Sequence, residues 1–120
     1  MTAIETEDGP VYLRLRASIA AAILKGEYRA GDQLPSVRSL AADYGANPLT
    51  VAKAYQSFQD DGYVEVRRGV GMFIVPGAVE RLRVAERERF LKGTWPRIRD
   101  HIALLGLDAA DLIEGRREIA

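Results

Sequence analysis

No cysteine occurs among the 120 residues, and histidine occurs once, at His101. The first absence excludes disulfides, thiolate catalysis and cysteine-ligated metal, and the second excludes a histidine ligand cluster within one chain. Long apolar runs are missing too. The longest, Ile19 to Leu24, falls far short of the ~20 residues that cross a bilayer. The first ten residues carry Glu5, Glu7 and Asp8 and no basic residue, so no signal peptide is visible and a soluble, cytoplasmic protein is expected. Carboxylates are plentiful, yet none gathers around a base, a nucleophile or a glycine-rich phosphate loop. The expectation is a protein that is not an enzyme and needs no metal or cofactor.

What is present is a foldable chain. Hydrophobic residues make up 48%, ample for a buried core. The length suits one domain, or one domain with an appendage. Formal net charge is zero, with 17 basic and 17 acidic residues, which argues against strong non-specific attraction to nucleic acid. The distribution is uneven. The three acidic residues of the first ten leave a faintly basic body, with eight Lys/Arg against six Asp/Glu from Val11 to Pro76.

Periodicity places the elements. Tyr12, Leu15, Ile19 and Ile23 recur at three- and four-residue spacing, and predict a helix from about Pro10 to Lys25 that ends at Gly26. After the turn-rich GEYRAGDQLP, Ser36 suits the N-cap of a short helix, Val37 to Tyr44, which Gly45 stops. A third helix is predicted from Pro48 to about Asp60, with Val51, Ala54, Tyr55 and Phe58 as its inward stripe. Proline fits its first position, where the missing N–H is an orphan anyway, and Asn47 fits its N-cap. Two helices joined through a tight glycine turn form the helix-turn-helix pattern. The period then changes to two, over Tyr63–Arg67 and Met72–Val75 around the basic turn RRGVG, which reads as a β-hairpin.

The fold class expected is therefore α+β. An N-terminal winged helix-turn-helix of three helices plus a hairpin wing fills residues 1–76, and a short all-α appendage fills residues 77–120. In the appendage, Leu91, Trp95, Ile98, Ile102 and Leu105 are spaced like a heptad seam, with Gly93 and Pro96 predicting a kink near Thr94–Pro96 or two separate helices. Asp108 suits the cap of a last short helix bearing Leu112 and Ile113. At helical spacing such residues serve core or interface more often than an effector pocket, and they are read here as homodimer contacts. A small-molecule effector is neither identified nor required.

The stretch GDQLPSVRSLAADYGANPLTVAKAYQSFQDDGYVEVRRGVGMFIV resembles the DNA-binding domain of the GntR family of bacterial transcription regulators. LPSVRSLA, GANPLTVAKAY, DGY and RRGVGMF carry the likeness in combination. With the first helix it spans about Pro10 to Val75. The short helical tail is similar to that of the YtrA subfamily, whose members dimerise through it and often repress transporter operons. The resemblance implies a double-stranded DNA partner. It puts Arg38 on DNA, at phosphate or guanine, and the Asn47–Pro48–Leu49–Thr50 tip in the major groove. Asn47 fits both a cap and a DNA contact. Leu49 stands where the family commonly has a polar residue; it can meet a thymine methyl but donates no hydrogen bond. Lys53 is expected on phosphate. Tyr55 is expected in the core, with a possible second role for its hydroxyl on phosphate. Arg67, Arg68, Gly69 and Gly71 form the wing, the glycines letting backbone approach the minor groove.

The function expected is sequence-specific DNA binding by a homodimeric transcription regulator, most simply a repressor at a palindromic operator. The alternative is a winged-helix protein-interaction module without DNA function. Salt separates them, since binding through phosphates weakens steeply with ionic strength.

Overall fold

The computed structural model describes residues 11–115, so Pro10 and the acidic first ten residues lie outside the described residues. The elements run α1 (Val11–Leu24), α2 (Val37–Tyr44), α3 (Pro48–Asp60), β1 (Val64–Arg67), β2 (Gly71–Ile74), α4 (Ala78–Arg89), a π-helical turn (Phe90–Thr94), α5 (Trp95–Leu104) and α6 (Ala109–Glu114). Three helices followed by a hairpin give the expected α+β winged helix-turn-helix, with a helical region after it. Contacts divide the chain into two compact units, one ending at Arg83 and the other starting at Val84.

The first unit holds the hydrophobic core. From α1 come Leu15, Ile19 and Ile23, as the stripe predicts, and from α3 Val51, Ala54, Tyr55 and Phe58. Leu40 and Ala41 of α2 and Ile74 of β2 close around them. Ala78 and Leu82 of α4 are also buried in this core, so the compact unit runs past the expected boundary at residue 76.

One charge sits inside. Arg16 is 4% exposed. Its Nε donates to Ser57 Oγ at 2.7 Å, its Nη2 pairs with Asp61 Oδ2 at 2.9 Å, and the guanidinium lies 4.7 Å from the Phe58 ring centroid. A buried cation is tolerable when paired and hydrogen-bonded, and here the pairing ties α1 to the C-terminal end of α3.

β1 and β2 pair antiparallel with Val64 opposite Ile74 and Arg67 opposite Gly71. The link between α1 and α2 runs along β2. Gly31 N–H donates to Ile74 C=O at 2.8 Å, Ile74 N–H to Asp32 C=O at 3.0 Å, and Leu34 N–H to Met72 C=O at 2.8 Å. A two-stranded hairpin is marginal on its own, and this third segment gives the wing a base.

The second unit has a different character. No residue from 84 to 115 is buried. The kink expected at Thr94–Pro96 takes the form of the π turn. Pro96 enters near the start of α5, where a proline ring would press on the carbonyl four residues back; a wider turn just ahead relieves that. Trp95 N–H reaches Phe90 C=O, five residues back. The extra residue shifts the facing residues, so Phe90 stacks on Trp95 with centroids 6.4 Å apart and planes 27° apart. Leu91, a member of the expected seam, borders a shallow groove of about 200 Å³ with Val84, Arg87, Glu88 and Lys92. Asp108 caps α6 as expected, its Oδ1 accepting from Ala110 N–H at 2.8 Å.

Candidate nucleic-acid interface

The geometry of the helix-turn-helix starts with its caps. Ser36 Oγ accepts from Ser39 N–H at 3.0 Å and fixes the start of α2, with Arg38 exposed in the first turn. α2 stops at Gly45, whose φ of +63° is left-handed. A residue with a Cβ would cost ~1–2 kcal/mol in that conformation. α3 then starts at once. Asn47 Oδ1 accepts from Leu49 N–H at 2.8 Å and Pro48 occupies the first turn. The cap therefore engages the side-chain oxygen of Asn47, while its amide nitrogen carries the donors that remain for a ligand.

Asn47, Pro48 and Leu49 are all exposed, Leu49 at 78%. A large apolar side chain so placed on a helix tip has no packing role within its own unit. Thr50 is half-buried and, with Asn47 and Tyr44, lines a groove of about 370 Å³ whose far side is Val11, Arg14, Leu15 and Ser18 of α1. Sequence reasoning missed Arg14 and Ser18, because the periodicity of α1 speaks only for its core-facing stripe. Lys53 is exposed, and its Nζ stands 4.4 Å from the Tyr12 ring centroid. A cation held over a ring face is attracted by the ring quadrupole, which places this ammonium beside the N-terminal end of α1.

Two site residues are engaged within the domain itself, Tyr55 in the core as expected. Tyr55 is 4% exposed and its hydroxyl donates to Pro35 C=O at 2.7 Å. Burial, and then the neighbouring Tyr28 and Tyr44, push its phenol well above the usual tyrosine range. A buried hydroxyl whose single proton is committed to a carbonyl is not available to a phosphate. Tyr55 holds α3 against the entrance to α2. Gly71 is the second. Its φ is +148°, and a Cβ there would run into the Gln33 side chain. The space its missing side chain leaves is taken up by Gln33.

The rest of the wing is at the surface. Arg67 is held by its own strand pair: its Nη2 lies 3.1 Å from Glu65 Oε2 and its guanidinium 4.1 Å from the Phe73 ring centroid. Arg68 and Gly69 are exposed at the turn, Gly69 with φ +77°. In the second unit Trp95 and Ile102 are half-buried, and Ile98, Leu91 and Leu105 are exposed.

A capped, exposed second-helix tip together with a basic two-stranded wing defines a winged helix-turn-helix DNA-binding domain. Residues 11–74 match the model for bacterial regulatory proteins of the gntR family, and the chain belongs to that family. It is 33% identical over 108 residues to the HTH-type transcriptional regulator YhcF of Bacillus subtilis (strain 168), covering 88% of this chain and 86% of that one. It is 35% identical over 100 residues to the HTH-type transcriptional repressor YtrA of the same organism, covering 83% and 71%. Among solved structures, a GntR family transcriptional regulator from Listeria monocytogenes superposes with a TM-score of 0.69 at 25% identity, covering 90% of this chain and 93% of that one. The protein is a YtrA-like transcriptional regulator and not an enzyme. No helix among the described residues is long and apolar enough to cross a membrane.

Proposed function

We propose that this protein is a cytoplasmic repressor that binds a palindromic operator as a homodimer. Residues up to 76, with the buried start of α4 completing their core, read DNA through Arg38, the Asn47–Thr50 tip, Lys53 and the wing arginines. The region beyond pairs two copies. The observation that carries the pairing is the missing core of the second unit: no residue from 84 to 115 is buried, while Phe90, Leu91, Ile98, Leu104 and Leu105 are each at least 40% exposed. Apolar side chains gathered on helices without a core of their own mark an interaction surface. A second copy supplies the matching surface with no further partner required, and a twofold dimer demands a twofold DNA site. The name of the Bacillus subtilis relative YtrA supports the repressor assignment.

The test pairs sedimentation with a binding titration. A dimer in solution should prefer a duplex with two inverted half-sites to one half-site by a factor of ~10²–10⁴, since the second contact is effectively intramolecular. A monomer that binds both duplexes alike would remove the reading. Arg38→Ala is the companion measurement. A bidentate base contact predicts a loss of about 1–3 kcal/mol concentrated on one base position, and a phosphate contact predicts an even loss across sequences.

A further inference from the structure

We propose that Gln33 is a positioning residue for the wing: without touching DNA, it fixes the hairpin tip, and through it Arg67 and Arg68, in the orientation that meets the duplex. This rests on the reading that the wing contacts DNA. Gln33 belongs to the link between α1 and α2, far in sequence from the hairpin. Its Nε2 nevertheless donates to Val70 C=O at 2.8 Å, across 37 residues. Val70 is the last residue of the turn, and its own N–H donates to Arg67 C=O at 2.9 Å. The amide of Gln33 therefore grips the strand-to-strand turn on its outgoing side.

The backbone around Gln33 supports that grip. Gln33 makes an antiparallel bridge with Phe73, the residue whose ring carries the Arg67 guanidinium. Asp32 and Leu34 on either side hold Ile74 and Met72 through the main chain. These bonds anchor the base of the wing, whereas the side chain of Gln33 alone reaches the tip among the bonds described. Gly71 completes the arrangement. A Cβ at that position would collide with the Gln33 amide, so the glycine gives this side chain its path to Val70.

Gln33 is exposed and its bond lies at the surface. Such a bond adds little to global stability, because water competes for both partners. Its effect is local. It removes orientations of the tip that would otherwise be lost on binding, and preorganisation of that kind appears as affinity.

The probe is a duplex selected from a random library by the full-length protein. Gln33→Met keeps the length of the side chain and loses the donor. It should weaken binding about threefold to tenfold, the worth of roughly one hydrogen bond, with an unchanged unfolding midpoint. In an Arg67→Ala/Arg68→Ala background the same change should weaken binding no further, since there is nothing left at the tip to position. Gly71→Ala, which drives the amide out of its path and also strains a backbone held at a φ of +148°, should lose at least as much as Gln33→Met. Equal losses in both backgrounds would show that Gln33 acts elsewhere, and no loss in the intact wing would show that it positions nothing. The arginine pair alone tests the underlying reading. If its removal leaves affinity and salt dependence untouched, the wing does not meet DNA and the role of Gln33 falls with it.

Discussion

Tyr55 and Leu49 lie on the same helix six residues apart, and each separates what a side chain could do from what its surroundings leave it free to do. The Tyr55 hydroxyl donates to the Pro35 carbonyl. Tyr55→Phe should therefore cost about 1 kcal/mol of stability and leave the slope of log affinity against log salt unchanged. A slope lower by about one would return Tyr55 to the phosphates. The folded state raises this phenol above its ordinary value of 10.0. The stability gained by keeping it neutral is complete below about pH 10 and is lost as the pH climbs beyond. Tyr55→Phe should flatten that alkaline limb in unfolding titrations. Leu49 faces outward at 78% exposure. If it covers a thymine methyl, uracil at that operator position should weaken binding about fourfold, and Leu49→Ala should abolish the difference. An unaltered response to uracil would mean that Leu49 reads no methyl. The outward placement of Leu49 and the cap at Asn47 were legible in sequence, because both follow from a helix start. The bond from Tyr55 to Pro35 was not, because nothing local marks which carbonyl a buried hydroxyl will meet. Arg16 was hidden for the same reason: periodicity set the apolar stripe, and its partners Ser57 and Asp61 lie on another helix.

Among the elements, the helices of the first unit were the most legible and the wing the least. α2 begins and ends, and α3 begins, where Ser36, Gly45, Asn47 and Pro48 predict, since caps and breakers act within one turn. The hairpin could be placed from its two apolar runs. Its third segment, residues 31–34, has no strand pattern of its own, only carbonyls and N–H groups that happen to face β2. The π turn was legible as a disturbance and not as a shape, since Gly93 and Pro96 fit a kink, a break or a bulge equally. The wing also carries its own restraint. Glu65 pairs with Arg67 at 3.1 Å, both side chains being about half exposed. Glu65→Gln should raise affinity at low salt and steepen the salt dependence, because Arg67 is released toward phosphate and displaces a further counterion. Binding that is indifferent to Glu65→Gln would mean that Arg67 stays with its strand when DNA arrives.

On the scale of the whole molecule, the two units ask for different experiments. Ala78 and Leu82 are 2% and 1% exposed. Cutting the chain after Pro76 would strip both from the core, whereas a chain ending at Arg83 keeps them. The shorter fragment should be markedly less stable, by the several kcal/mol that losing a buried leucine typically costs. The fragment ending at Arg83 should stay folded, sediment as a monomer and bind a palindrome barely better than a half-site. Trp95→Ala with Ile102→Ala in the full chain should do much the same. A fragment that remains dimeric would move the pairing surface elsewhere.

The coreless stretch from 84 to 115 also bears on how long a copy lasts. A helical segment with little to bury opens easily, and an open segment is what proteases cut. Under the pairing proposed above, a copy that has found its twin shelters this stretch, and a solitary copy does not. Surplus copies would then be degraded faster than paired ones. The lifetime of the regulator would rise with its own concentration, a form of housekeeping written into its tail.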